Sequence, residues 1–196
     1  MSTAMQSRMV HLHLNVNASE WTSWALKAGL DPRVVAYIDY CPDQLMSFSP
    51  DHDDCTFACP RTWEFASKLI EDTQHLTTKT FKPLLAGTLG EGTAIQFLNF
   101  CAIYADLVKL SEILKDPEHL RVPEEPATQF ALVGMLGGAA NEDNLPKIMP
   151  YVSRLGIEFQ ILFVKKVVIN LTPAIAIRNE QLREWTKING TKYAQI

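Results

Sequence analysis

The sequence predicts a mostly helical, all-α protein preceded by one N-terminal β-strand. Two observations carry that reading. Val10, Leu12, Leu14 and Val16 alternate with His11, His13 and Asn15, the period of a strand with one apolar side. From residue 18 onward apolar residues recur instead at helical spacing, with prolines and glycines at the ends of the periodic runs. With 196 residues, 47% of them hydrophobic and 20% charged, the chain can bury a core without disulfides.

The Val10–Val16 strand cannot stand alone, because its backbone groups need a ladder partner. It is expected to be detached or paired with another chain. Asn17 or Ser19 then caps a helix carrying Trp21, Trp24 and Leu26 and closed by Gly29. Asp31-Pro32 opens a second helix with Val34, Val35, Ile38 and Tyr40, ended by Pro42. Residues 43–59 read as loop. Pro60 starts a third helix to about Glu71. Trp21, Trp24 and Trp63 are expected in the core, and Trp63 and Phe65 are both expected to turn inward.

A short helix is expected over Phe81–Ala86, punctuated by Gly87, Gly90 and Gly92, and then a long apolar helix to about Val108. Leu110–Leu114 is a short helix stopped before Pro117. Further helices are expected over Pro126–Leu136, Glu142–Ser153, Glu158–Ile169 and Asn179–Lys187, with fraying at the end. The run from Leu155 to Val168 is apolar on nearly all faces, so it is expected to be buried or to lie under a partner subunit. Two helical subdomains are expected, 18–80 and 81–196, after the strand-bearing segment 1–17. The threonine-rich stretch Thr73–Lys82 is the internal boundary.

Composition narrows the function classes. A formal charge of −4 is not the balance of a dedicated nucleic-acid binder. No apolar run approaches the roughly 20 residues that span a bilayer, and no signal peptide is visible. Cys41, Cys55, Cys59 and Cys101 are irregularly spaced, which fits reduced thiols in a cytoplasmic protein better than a disulfide framework. Asp51-His52-Asp53-Asp54-Cys55 with Cys59 offers metal-ligand types but no complete zinc pattern, so an acidic solvated loop is expected and no metal. His11 and His13 are polar residues on one side of the strand, while His75 and His119 stand alone. No nucleophile elbow surrounds any serine.

Four segments carry a resemblance in their order and spacing. Ser2-Thr3-Ala4-Met5-Gln6-Ser7-Arg8-Met9 runs straight into the strand. Cys59-Pro60-Arg61-Thr62-Trp63-Glu64 opens the third helix. Leu85-Ala86-Gly87-Thr88-Leu89-Gly90-Glu91-Gly92 runs on to Phe97, and Tyr151-Val152-Ser153-Arg154-Leu155-Gly156-Ile157-Glu158-Phe159 follows later. Together they resemble the C-terminal lid and accessory region of a bacterial and phage branch of the MoxR-like AAA+ ATPases, with Cys59 where that family usually has serine.

The resemblance implies a lid over residues 18–80 and a remnant of the ATPase core over 1–17. It implies that Arg61 senses nucleotide from the lid and that Arg8 acts in trans on a neighbouring subunit. ATP and magnesium would be held only by a core domain outside this chain, because no Gly-x-x-x-x-Gly-Lys-Ser/Thr sequence occurs in it. The chain by itself is therefore expected not to be an enzyme. Its expected partners are that core domain, neighbouring subunits and a protein client, with no nucleic acid and no membrane. The alternative is a stand-alone helical interaction module with no nucleotide role. Arginine suits the nucleotide role because its planar forked donors match phosphate oxygens. The plainer reading is a solvated Arg61 paired with Glu64.

Overall fold

The computed structural model describes residues 5, 8–12, 15–49, 51, 55–171, 175 and 178–193, with side chains to 190. Ala18–Lys27 forms α1, capped by the Asn17 side chain, which accepts from the Glu20 N–H at 3.1 Å. Pro32–Tyr40 forms α2, where the Asp31 carboxylate accepts from the Arg33 N–H at 2.9 Å. A 3-10 turn over Pro42–Leu45 follows. Then come α3 (Pro60–Ile70), α4 (Thr78–Leu89), α5 (Glu91–Ala105) and α6 (Leu110–Ile113). The chain continues with α7 (Pro126–Ala139), α8 (Leu145–Val152), α9 (Ile157–Asn170) and α10 (Glu180–Tyr193).

The fold is mostly helical, as the periodicity predicts. No β-ladder forms among the described residues. Of the expected strand, His13 and Leu14 lie outside the described residues. Val10 and Leu12 are 86% and 81% exposed. With no second strand beside them, their backbone groups have no ladder to join.

Two hydrophobic cores are built. The first gathers Trp21, Tyr37, Ile38, Trp63, Leu85 and Phe97 from α1 to α5. The second gathers Ile113, Leu136, Ile148, Tyr151, Phe163 and Trp185 from α6 to α10. The first core runs through the boundary expected at residue 80, because Leu85 and Leu89 of α4 pack in it with Trp63. Leu107 packs against both cores, so the seam falls after α5. Helix α4 is also longer than the expected Phe81–Ala86. It holds both Pro83 and Gly87, and burial of Leu85 and Leu89 one turn apart offsets their poor helix propensity. The helix stops at Gly90, whose φ of +88° joins it to α5, a conformation that glycine adopts at little cost.

Helix α7 joins the cores. Ala131 faces the first and Leu132 and Leu136 the second. A Cβ built on Gly134 would meet the Ala36 Cβ of α2 at 2.5 Å, and one on Gly137 would meet the Lys166 Cβ of α9 at 2.8 Å. Both helices therefore approach α7 at backbone distance. Across this layer the Lys166 ammonium donates to the Asp39 carboxylate, with the lysine side chain only 4% exposed.

One stretch corrects the expectation about membranes. Glu91–Ile113 spans 23 residues and holds an 18-residue window of mean hydropathy 1.2, enough by length and composition for a membrane-crossing segment. In the fold its helix stops at Ala105, and Thr93, Ala94, Phe97, Leu98, Phe100 and Cys101 are buried. A core helix has the same composition, because both bury apolar side chains on most faces.

Trp63 anchors the first core. It is fully buried, its ring meets Phe97 edge-on at 5.3 Å, and its indole N–H donates to the Gln44 carbonyl at 2.9 Å. Trp63→Ala is expected to cost about 3–5 kcal/mol. Urea unfolding followed by helix content checks this, and a loss under 1 kcal/mol, roughly that of an average substitution, would contradict it.

Candidate functional site

Arg61 occupies the first turn of α3, after Pro60 at the first helical position. Proline suits that place because its fixed φ is already helical and its missing N–H has no helical partner anyway. Thr62 fastens the turn. Its Oγ1 accepts from the Cys59 N–H at 2.8 Å and donates to the Phe57 carbonyl at 3.2 Å. Helical geometry then sets the faces. Trp63, Ala66, Ser67 and Ile70 share one side and are buried.

Arg61, Phe65 and Leu69, spaced by four, share the other side, and all three are exposed. Phe65 does not turn inward beside Trp63 as expected. It is 48% exposed, because two residues along a helix turn a side chain by about 200°. Trp24 likewise departs from the expected core. It is 47% exposed, with its ring 6.1 Å from that of the buried Trp21.

Glu64 does not pair with Arg61. It accepts from the Lys68 ammonium at 2.7 Å. Glutamate one turn ahead of lysine is the favourable order on a helix, since it also complements the helix dipole. Among the described residues Arg61 has no carboxylate partner. Arg61→Ala is expected to change stability by no more than about 0.5 kcal/mol. A thermal melt of the variant reads this directly, and a large drop in the midpoint would place Arg61 in the structure instead.

Arg8 is exposed in a turn where its N–H donates to the Met5 carbonyl at 3.1 Å. Ser2, Thr3, Ala4, Gln6 and Ser7 lie outside the described residues.

A third arginine was missed by the sequence reading. Arg33 is 8% exposed. Its guanidinium grips Asp31 twice, at 2.9 and 2.6 Å, and donates to the Thr73 and Ile70 carbonyls at 2.7 and 2.9 Å. Burial opposes its charge, but the Asp31 carboxylate outweighs burial and the pKa is raised. These donors tie the start of α2 to the end of α3, so Arg33 is structural. The signal for it was the Asp31-Pro32-Arg33 order at a helix start.

His52, Asp53 and Asp54 of the acidic loop lie outside the described residues, and no group of three metal-ligating side chains occurs among the described ones. His119 does not stand alone. Its Nδ1 lies 2.8 Å from Asp116 Oδ1, and this bond lowers the Asp116 pKa. The cysteines are free. Burial pushes the Cys101 thiol up to about 12 and Cys41 upward, which withholds the nucleophilic thiolate.

The glycine-rich segment does not fit a triphosphate with magnesium. Gly87 lies inside α4, Gly90 is the link between two helices, and neither a lysine nor a hydroxyl residue follows in the required place. Comparison with protein-family models, curated proteins and solved structures gives no match.

Proposed function

We propose that this chain is the lid and accessory helical portion of a MoxR-like AAA+ ATPase, acting in the cytoplasm of a bacterial or phage-infected cell. In this reading Arg61 is a nucleotide-sensing arginine and Arg8 an arginine finger acting across a subunit boundary. The observation that carries it is the placement of Arg61. It is exposed in the first turn of a well-anchored helix, and its neighbouring carboxylate is already bound to Lys68. A forked guanidinium at a helix N-terminus, the positive end of the helix dipole, favours a phosphate oxygen. Phe65 and Leu69 continue the same exposed line, which supports a protein surface meeting this face.

The chemistry follows from charge. Phosphoryl transfer is catalysed largely by cations placed on the transferring oxygens. This chain would contribute such a cation and leave the binding of ATP and magnesium to another domain. Rotation of the lid would then depend on which nucleotide is bound.

The isolated chain incubated with ATP and magnesium is the test. No turnover above buffer is expected. Magnesium-dependent hydrolysis abolished by a single substitution within this chain would overturn the reading, since it would require a complete site here.

A further inference from the structure

The seam between the two cores carries a feature that the nucleotide reading does not use. A cavity of about 390 Å³ opens between the turn after α5 and the loop before α7. Leu107, Val108 and the fully buried Leu132 form its apolar floor. Asp106, Glu124 and Glu125 are exposed at its rim, against the guanidinium of Arg121 alone among its lining residues. Clefts of roughly 300–1,000 Å³ with an apolar floor and a few placed polar groups are the usual form of a ligand site.

The loop wall is held in place although it has no regular secondary structure. The hydroxyl of Tyr151, itself fully buried, donates to the Arg121 carbonyl at 2.9 Å. Gln129 donates to the Pro123 carbonyl at 2.7 Å. The Thr128 hydroxyl donates to the Glu125 carboxylate at 3.0 Å, fixing one rim charge. A ligand would therefore order little additional backbone, which favours affinity.

We propose that this cleft binds a basic, aliphatic peptide segment of a partner protein. An aliphatic side chain would lie on Leu107, Val108 and Leu132, with a flanking lysine or arginine against Asp106, Glu124 and Glu125. Carboxylates outnumber the guanidinium three to one among the lining residues, so an anionic ligand is repelled. A bare metal ion is disfavoured too, because the carboxylates surround an apolar floor and do not converge. The proposal does not depend on a nucleotide role.

The test is fluorescence anisotropy of the full chain with a short labelled peptide of alternating leucine and lysine. Saturable binding is expected, weakening as salt rises. Combined E124K and E125K substitutions are expected to weaken it about tenfold, a loss of about 1.4 kcal/mol. Val108→Asn, which alters the floor and not the charge, is expected to weaken it as well. Glu71→Lys, in a different cleft, leaves it unchanged. The fold is monitored by circular dichroism, and all three acidic residues replaced are exposed. Absence of saturable binding, equal binding of a leucine–glutamate peptide, or unchanged affinity in the double variant would overturn the proposal.

Discussion

Gly134→Leu is expected to destabilise the chain by about 3 kcal/mol or more, the upper end for overpacking a core. At this position even a methyl group would sit 2.5 Å from the Ala36 Cβ and 3.4 Å from its Cα. The Ala36 Cβ is fixed to its backbone and has no rotamer to turn away, so α2 or α7 must move as a body. Gly134→Ala separates two effects of opposite sign. Alanine is better than glycine in a helix by about 1 kcal/mol, but the overlap costs about 1–3 kcal/mol. A net loss is expected. Gly138→Ala is the control, since its Cβ would lie an ordinary 3.8 Å from the Pro32 Cβ. That variant should be neutral or more stable. Urea midpoints of the three proteins decide it, and equal stability for the two alanine variants would show that α2 and α7 are not in close contact.

The second large effect concerns the pair that spans the same layer. Asp39→Leu leaves the Lys166 ammonium 4% exposed with its carboxylate removed. Lys166→Met does the same to Asp39, whose side chain is 13% exposed. Removing one member of a buried ion pair costs about 3–5 kcal/mol, because an uncompensated charge stays out of water. The double variant Asp39→Leu/Lys166→Met removes both charges and fills the space with apolar atoms. It should recover most of that loss, and a double-mutant cycle by denaturant unfolding measures the recovery. Additive losses in the double variant would mean that the two groups do not depend on each other.

Much of the helical fold was legible because its signals are local. Pro32 and Pro60 each begin a helix, and Asn17 and Asp31 each cap one. Helix α4 was underestimated because the threonines before Phe81 and Gly87 are weak helix formers, while burial of Leu85 and Leu89 is set by distant residues. The faces of Trp24 and Phe65 were misread for a related reason. Aromatic character suggested burial, whereas the 100° step per residue assigns Phe65 and Trp63 to opposite sides.

The Lys166–Asp39 pair joins residues far apart in sequence, and Lys166 sits in an apolar run with no nearby acid to announce a partner. The seam cleft was equally hidden, since Asp106 and Glu124 meet only after α5 and α7 pack. The position of Arg61 was legible, because Pro60 and the spacing to Trp63 set it locally.

If the proposed role is right, its most direct measurement is ATP turnover by an Arg61→Ala variant of the proposed MoxR-like ATPase. Turnover is expected to fall by about tenfold or more, with the melting temperature unchanged. Arg61→Lys should not restore it, since a lysine ammonium lacks the planar forked donors. Unchanged turnover and unchanged nucleotide affinity in Arg61→Ala would contradict the account and make Arg61 an ordinary surface residue.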